Sequence, residues 1–334
     1  MPRPVRRVVA PRAAVVAATL LLLLPVPVGA HGPDPGPPGP WLLTGGWSFD
    51  PLIWLPVLLA GLGYHLARRK VDREHPGNPV PRFRSWCWMA GLVTLLVAIQ
   101  SPIERYDTVL FSVHMVQHLL LAMVAAPLLL LGAPVTLLLR AATPELRRRV
   151  LLPILHARIL RVLTHPLVTW SLFAIVLWGS HFTPLFDAAL EDRGAHLLEH
   201  ALYLSTALLF WYPVIGADPG PNRLPHGARV GYLALGMPFG TFLGLAIFSS
   251  TTVLYPHYAT LGRTWGPTPL EDQALAGGLM WAGGDGVFLL ALVLAVAAWL
   301  RSEEREARRI DAQLDRERAA AASPPATPEP DTPA

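Results

Sequence analysis

Seven stretches of predominantly apolar residues, at roughly 48–67, 85–101, 108–131, 166–185, 195–214, 229–252 and 273–300, dominate this chain. Each is long enough to cross a hydrocarbon core of about 30 Å as a helix. The expected fold class is all-α: a polytopic transmembrane helix bundle of seven spans after an N-terminal signal-like segment. Composition agrees. Only 15% of residues are charged and mean hydropathy is +0.41, whereas soluble domains carry about 25% charged residues. Nucleic-acid binding is a poor reading of the net charge of +4, because the basic residues cluster beside helix ends. Cys87 stands alone, which excludes a disulfide frame and a cysteine metal site.

Residues 1–30 have the features of a signal peptide or an uncleaved N-terminal helix. Arg3, Arg6, Arg7 and Arg12 precede an apolar run at 13–24, and Val28-Gly29-Ala30 resembles a cleavage site. A Pro/Gly-rich segment at 31–47 follows, then the membrane domain at 48–300 and a charged tail at 301–334 whose last dozen residues are expected to be disordered. Charge asymmetry gives an orientation. Arg68, Arg69, Lys70, Arg73, Arg82 and Arg84 fill one loop, and Arg140, Arg147, Arg148, Arg149, Arg158 and Arg161 another on the same side. The alternate loops hold only Arg105, Arg193 and Arg263. The basic side is expected to be cytoplasmic, with the C-terminus inside a bacterial plasma membrane and the mature N-terminus outside.

Five histidines fall inside or at the edge of these apolar runs: His114, His118, His181, His196 and His200. Ionisable groups in hydrocarbon are costly and are normally kept for function. The pairs His114/His118 and His196/His200 have i,i+4 spacing, which stacks two imidazoles on one helix face. A rise of 1.5 Å per residue puts His114 about 9 Å and His118 about 15 Å below the outer surface, His181 about 6 Å and His200 about 8 Å, with His196 at the boundary and Met280 about 10 Å deep. His257 sits in an outer loop, Tyr255-Pro256-His257-Tyr258.

Neutral imidazoles bind copper, zinc, iron and nickel, and thioethers such as Met280 and Met115 favour Cu(I). His114, His118, His196, His200, His181 and Met280 are therefore the candidate metal ligands, with copper as the candidate ion. Glu199 and Asp285 are candidate partners that fix an imidazole tautomer. Haem b is the rival, held by one histidine from each of two helices, and zinc gains nothing from Met280. Interhelical hydrogen bonding is the alternative for any single histidine, but it does not account for the shared depth. His196-Leu-Leu-Glu199-His200 also matches the H-x-x-E-H pattern of inverzincin proteases. At the mouth of an apolar helix, without a soluble catalytic domain, that match points away from an enzyme.

The stretch His114-Met115-Val116-Gln117-His118, running on to Ala126-Pro127 and Gly132-Ala133-Pro134, resembles the signature of the caa3-type cytochrome c oxidase assembly factors (the multi-span CtaG type). So do His196-Leu-Leu-Glu199-His200 and Asp272-Gln273 through Gly277-Gly278-Leu-Met280-Trp281. The likeness covers roughly 45–300, and Leu119 departs from it where a Met is more frequent. The resemblance implies a membrane protein that helps mature a haem–copper oxidase at a copper centre, with oxidase subunits as partners. A di-His haem b redox protein and a copper-resistance permease are the alternatives. The permease would need polar residues in the inner halves of the spans, which are almost wholly apolar.

Overall fold

The computed structural model describes residues 35–322, so the signal-like segment at 1–30 and the end of the C-terminal tail lie outside the described residues. Among the described residues there are helices and no strand. The main helices are α1 (Pro51–Glu74), α2 (Arg82–Gln100), α3 (Phe111–Ala141), α4 (Pro166–Phe182), α5 (Pro184–Glu191), α6 (Arg193–Ile215), α7 (His226–Phe248) and α8 (Pro269–Ala319).

Proline and capping residues explain where these helices begin. Pro51, Pro166, Pro184 and Pro269 occupy first-turn positions, where the missing N–H has no intrahelical partner to lose. Side-chain oxygens of Asp50, Thr183, Asp192 and Thr268 accept from the first free N–H groups of α1, α5, α6 and α8. At α8, Glu271 returns the bond to the Thr268 backbone, completing a capping box.

Four helical segments among the described residues are long and apolar enough to cross a membrane: Arg82–Tyr106, α3, α7 and α8. A fifth is counted if α4 and α5, bent by 70° at Thr183, form one span. The expected seven spans are thus not all reproduced. α1 and α6 are helices of 24 and 23 residues at the expected places. Polar content, not length, sets them apart. Arg68, Arg69, Lys70, Asp72, Arg73 and Glu74 fill the end of α1, and Arg193, His196, Glu199 and His200 the start of α6. The expected fourth span at 166–185 breaks at Thr183-Pro184, and the seventh begins earlier, at Pro269, and runs into the charged segment as far as Ala319.

The principal core is built by α3, α4, α6, α7 and α8, through Met115, Phe173, Phe210, Trp211, Leu243 and Phe288 among others. α1 and α2 pack on its flank, with Tyr64 stacked on Trp88 and its hydroxyl donating to the Gly132 carbonyl at 2.8 Å. α7 and α8 meet backbone to backbone. A Cβ on Gly277 would lie 2.5 Å from the Phe248 nitrogen, and one on Gly244 would lie 2.8 Å from the Trp281 nitrogen. Small residues permit such an approach where lipid supplies no hydrophobic drive between helices. Away from these contacts Leu55, Leu58, Leu62, Leu235, Phe242, Leu289, Leu290, Val293 and Leu294 are exposed. An apolar surface this extensive suits lipid rather than water.

Two of the main helices, α3 and α8, carry a wide turn. In α3 it spans Leu120–Ala125, where the Ala126 N–H bonds to the Leu121 carbonyl. Pro127, with no N–H to offer, follows directly, so the ladder is adjusted where the proline would otherwise break it. In α8 the wide turn spans Leu279–Gly283 and carries Met280. Such turns re-aim side chains and recur at functional sites. α3 breaks again at Ala133, in the left-handed region with φ 49°, and restarts at Pro134. There Asp218, from the loop after α6, accepts from the Val135 and Thr136 N–H groups at 3.2 and 2.6 Å and from Thr136 Oγ1 at 2.7 Å.

Candidate functional site

The first turns of α3 and α6 face each other and bring the two histidine pairs together. On α3 the His114 and His118 ring centroids lie 4.3 Å apart, with their Nε2 atoms at 3.0 Å. On α6 the His196 and His200 centroids lie 4.1 Å apart. Across the interface, His114 stacks on His196 at 5.4 Å and His118 faces His200 at 6.2 Å. His181, near the end of α4, joins from the side with its centroid 6.4 Å from that of His118. All five are buried.

Glu199 is fully buried between the pairs, with Oε2 at 3.4 Å from His114 Nε2 and 3.6 Å from His118 Nε2. Neither of its oxygens accepts a hydrogen bond of sound geometry, and the Nδ1 atoms of His114 and His118 also lack partners. A buried carboxylate without donors is expensive and calls for a cation or a proton. Bonds of about 2.0–2.1 Å in a tetrahedral metal site put ligand atoms roughly 3.3 Å apart. His114 Nε2, His118 Nε2 and Glu199 Oε2, separated by 3.0, 3.4 and 3.6 Å, make a triangle of that size.

Neighbouring groups set the other tautomers. The Leu177 carbonyl can only accept, so the neutral His181 ring donates to it from Nδ1 at 2.8 Å and keeps its electron pair on Nε2, which has no partner. The Gln117 amide donates from Nε2 to Glu104 Oε2 at 2.7 Å and to the Ala98 carbonyl at 3.0 Å. Its Oε1 is therefore the acceptor for His200 Nε2, at 2.9 Å. Tyr203 lies flat on His118 at 3.9 Å between ring centroids, and its hydroxyl is 2.7 Å from Ser180 Oγ.

Aromatic side chains roof the cluster. Phe186 of α5 packs against His114 and His181 with centroids at 4.9 and 5.6 Å, and Tyr255 lies 4.4 Å above Phe186. The segment carrying Tyr255 is tied down at both ends. Gln273 accepts from the Leu254 N–H at 2.7 Å and donates to the Thr252 carbonyl at 3.0 Å. His257 Nε2 donates to the Thr108 carbonyl at 3.0 Å, and the Tyr258 hydroxyl to the Asp107 carbonyl at 2.9 Å.

A family model described as cytochrome c oxidase caa3 assembly factor matches residues 62–302. The chain belongs to the caa3 cytochrome c oxidase assembly factor family. An uncharacterised protein of Mycobacterium leprae (strain TN) is 33% identical over 276 residues, covering 80% of this chain and 42% of that protein. Uncharacterised proteins of Mycobacterium bovis and Mycobacterium tuberculosis (strain CDC 1551 / Oshkosh) are 34% identical over 276 residues, with the same coverage. The chain thus spans less than half the length of the curated relatives it matches. No solved structure matches it.

In this caa3 assembly factor family member, every candidate site residue named from the sequence falls within the matched region, but the structure does not gather them all. The five histidines and Glu199 converge. Met280 instead lines a small apolar cavity of about 40 Å³ beyond His118, with Met115, Met123 and His181 on its walls. That is room for a few waters or a single ion. Asp285 edges the same cavity, yet its carboxylate accepts from Thr241 Oγ1 at 2.9 and 2.8 Å rather than from an imidazole. Sequence reasoning missed Asp107, which is fully buried, with Oδ2 at 3.5 Å from His196 Nε2. Burial pushes its carboxyl well above the usual range, and the neighbouring Glu104 charge adds to this. The only signal was position: a carboxylate seven residues before His114, in the loop between the second and third expected spans.

Proposed function

We propose that this protein is a non-catalytic cytochrome c oxidase assembly factor that holds a copper ion transiently at the His114–His118–Glu199 triangle and passes it to a haem–copper oxidase subunit. The observation that carries the reading is the spacing of those three ligand atoms, together with a Glu199 carboxylate that has no hydrogen-bond donor. His181 Nε2, also without a partner, and the Met-lined cavity next to His118 offer further donors along a path for the ion. Imidazole and thioether together favour copper over zinc. Neighbouring ring centroids 4.1 to 6.4 Å apart favour bare metal ions over haem b, whose flat macrocycle needs a slot between its two axial histidines.

Topology belongs to the same proposal. α1, α6 and the bent α4–α5 pair join the four apolar spans to make seven crossings, with α6 shielded from lipid by burial of its polar face. The basic loops then face the cytoplasm, and the histidine cluster lies under the outer surface of the plasma membrane. Titration of the full-length protein in detergent with Cu(I), for wild type and a His114→Ala/His118→Ala double variant, tests the site. The expected result is loss of bound copper in the variant. Equal stoichiometry in both would remove the triangle as the holding site.

A further inference from the structure

Next to the first triangle lies a second set of metal-ligating atoms, whose His196 also lies within reach of His114 and Glu199 and so stands between the two sets. Asp107, His196 and His200 each present one such atom, and these lie within 4.8 Å of one another in a fully buried group. Neither oxygen of Asp107 accepts a hydrogen bond of sound geometry. His200 Nε2 is held by Gln117, so Nδ1 is the nitrogen left to bind an ion. The His114 and His196 rings stack at 5.4 Å, which makes the two sets neighbours.

We propose that Asp107, His196 and His200 form a second ion position beside His114, His118 and Glu199, so that the chain holds a pair of metal ions rather than one. The donor chemistry differs between the two ends of the site. A carboxylate and two imidazoles without sulfur suit a borderline divalent ion, Cu(II) or Zn(II). The Met-lined cavity lies on the other side, beyond His118. Asp107 sits in the turn just beneath the His257–Tyr258 segment, so the second position is the one nearer that cover. The inference rests on the copper-holding reading for the identity of the ion, but Asp107 and His200 belong to the second position alone.

Copper(II) chloride, added to the full-length protein in detergent and followed by desalting, metal analysis and electron paramagnetic resonance, tests it. Wild type is expected to retain two coppers with a dipole-broadened signal. Asp107→Asn is expected to retain one, with an isolated, sharp Cu(II) spectrum, and Glu199→Gln likewise one. His200→Ala gives a second reading of the same position should Asp107→Asn fail to purify. A wild type that holds one copper, lost in Glu199→Gln and kept in Asp107→Asn, would overturn the second position and leave the first. A wild type that holds none would overturn both, and two coppers retained in both Asp107→Asn and His200→Ala would take those residues out of the site.

Discussion

Gln117 accepts a hydrogen bond from Nε2 of His200 at 2.9 Å, across the interface between α3 and α6. The same amide donates to Glu104 and to the Ala98 carbonyl, so its orientation is fixed from the far side. Gln117 thereby determines which nitrogen of His200 keeps its electron pair. Outer partners of this kind tune metal affinity by about 10–100-fold. Gln117→Leu is expected to weaken copper binding by a factor in that range while leaving the helix content measured by circular dichroism unchanged.

Glu199 supplies the carboxylate corner of the first triangle. Glu199→Gln keeps its shape and removes the charge, so the fold is expected to persist and thermal stability without metal to stay level or rise. Copper affinity is expected to fall by more than about 100-fold, beyond the range of an outer partner. Competition with a chelator of known affinity measures both variants on one scale.

Asp218 closes the other end of α3, where three donors from Val135 and Thr136 converge on its carboxylate. Asp218→Ala strands them in a partly buried setting, and an unsatisfied buried donor costs about 1–3 kcal/mol. The variant is expected to unfold at a clearly lower temperature in detergent, with copper stoichiometry unchanged below its midpoint.

Gly277 sits where α7 and α8 touch through their backbones. Gly277→Val forces the helices apart at a contact that has no slack, and overpacking typically costs about 1–3 kcal/mol. Because Met280 lies on the next turn of α8, the displacement is expected to reach the cavity beside His118 as well. Thermal unfolding reads the first effect, and the Cu(I) titration reads the second. Gly286→Ala, at a glycine with open space around it, is the control expected to change neither.

The histidine cluster was legible because the physics that creates it is local and periodic. The i,i+4 spacing fixes which rings share a face, and the apolar runs fix their level. Glu199 came with the second pair for the same reason. Asp107 was not legible, because depth had been counted along helices while the burial of a loop depends on what folds over it. The Tyr255–Tyr258 segment covers the 107–110 turn, and no periodicity in either stretch announces that meeting. Asp285 misled for a related reason: its depth was suitable, but Thr241 on α7 was closer than any imidazole. The seven expected spans are reproduced only in part, because α1 and α6 carry charged residues at their ends.

The two hydrogen bonds from His257 and Tyr258 to the backbone of residues 107 and 108 have a kinetic consequence. If the cluster holds copper as proposed, these bonds pin the covering segment across its ligands, and exchange with the outside is expected to follow how often that segment lifts. A recipient that pulled on that segment would collect the cargo on docking, and bystanders in solution would find the chamber shut.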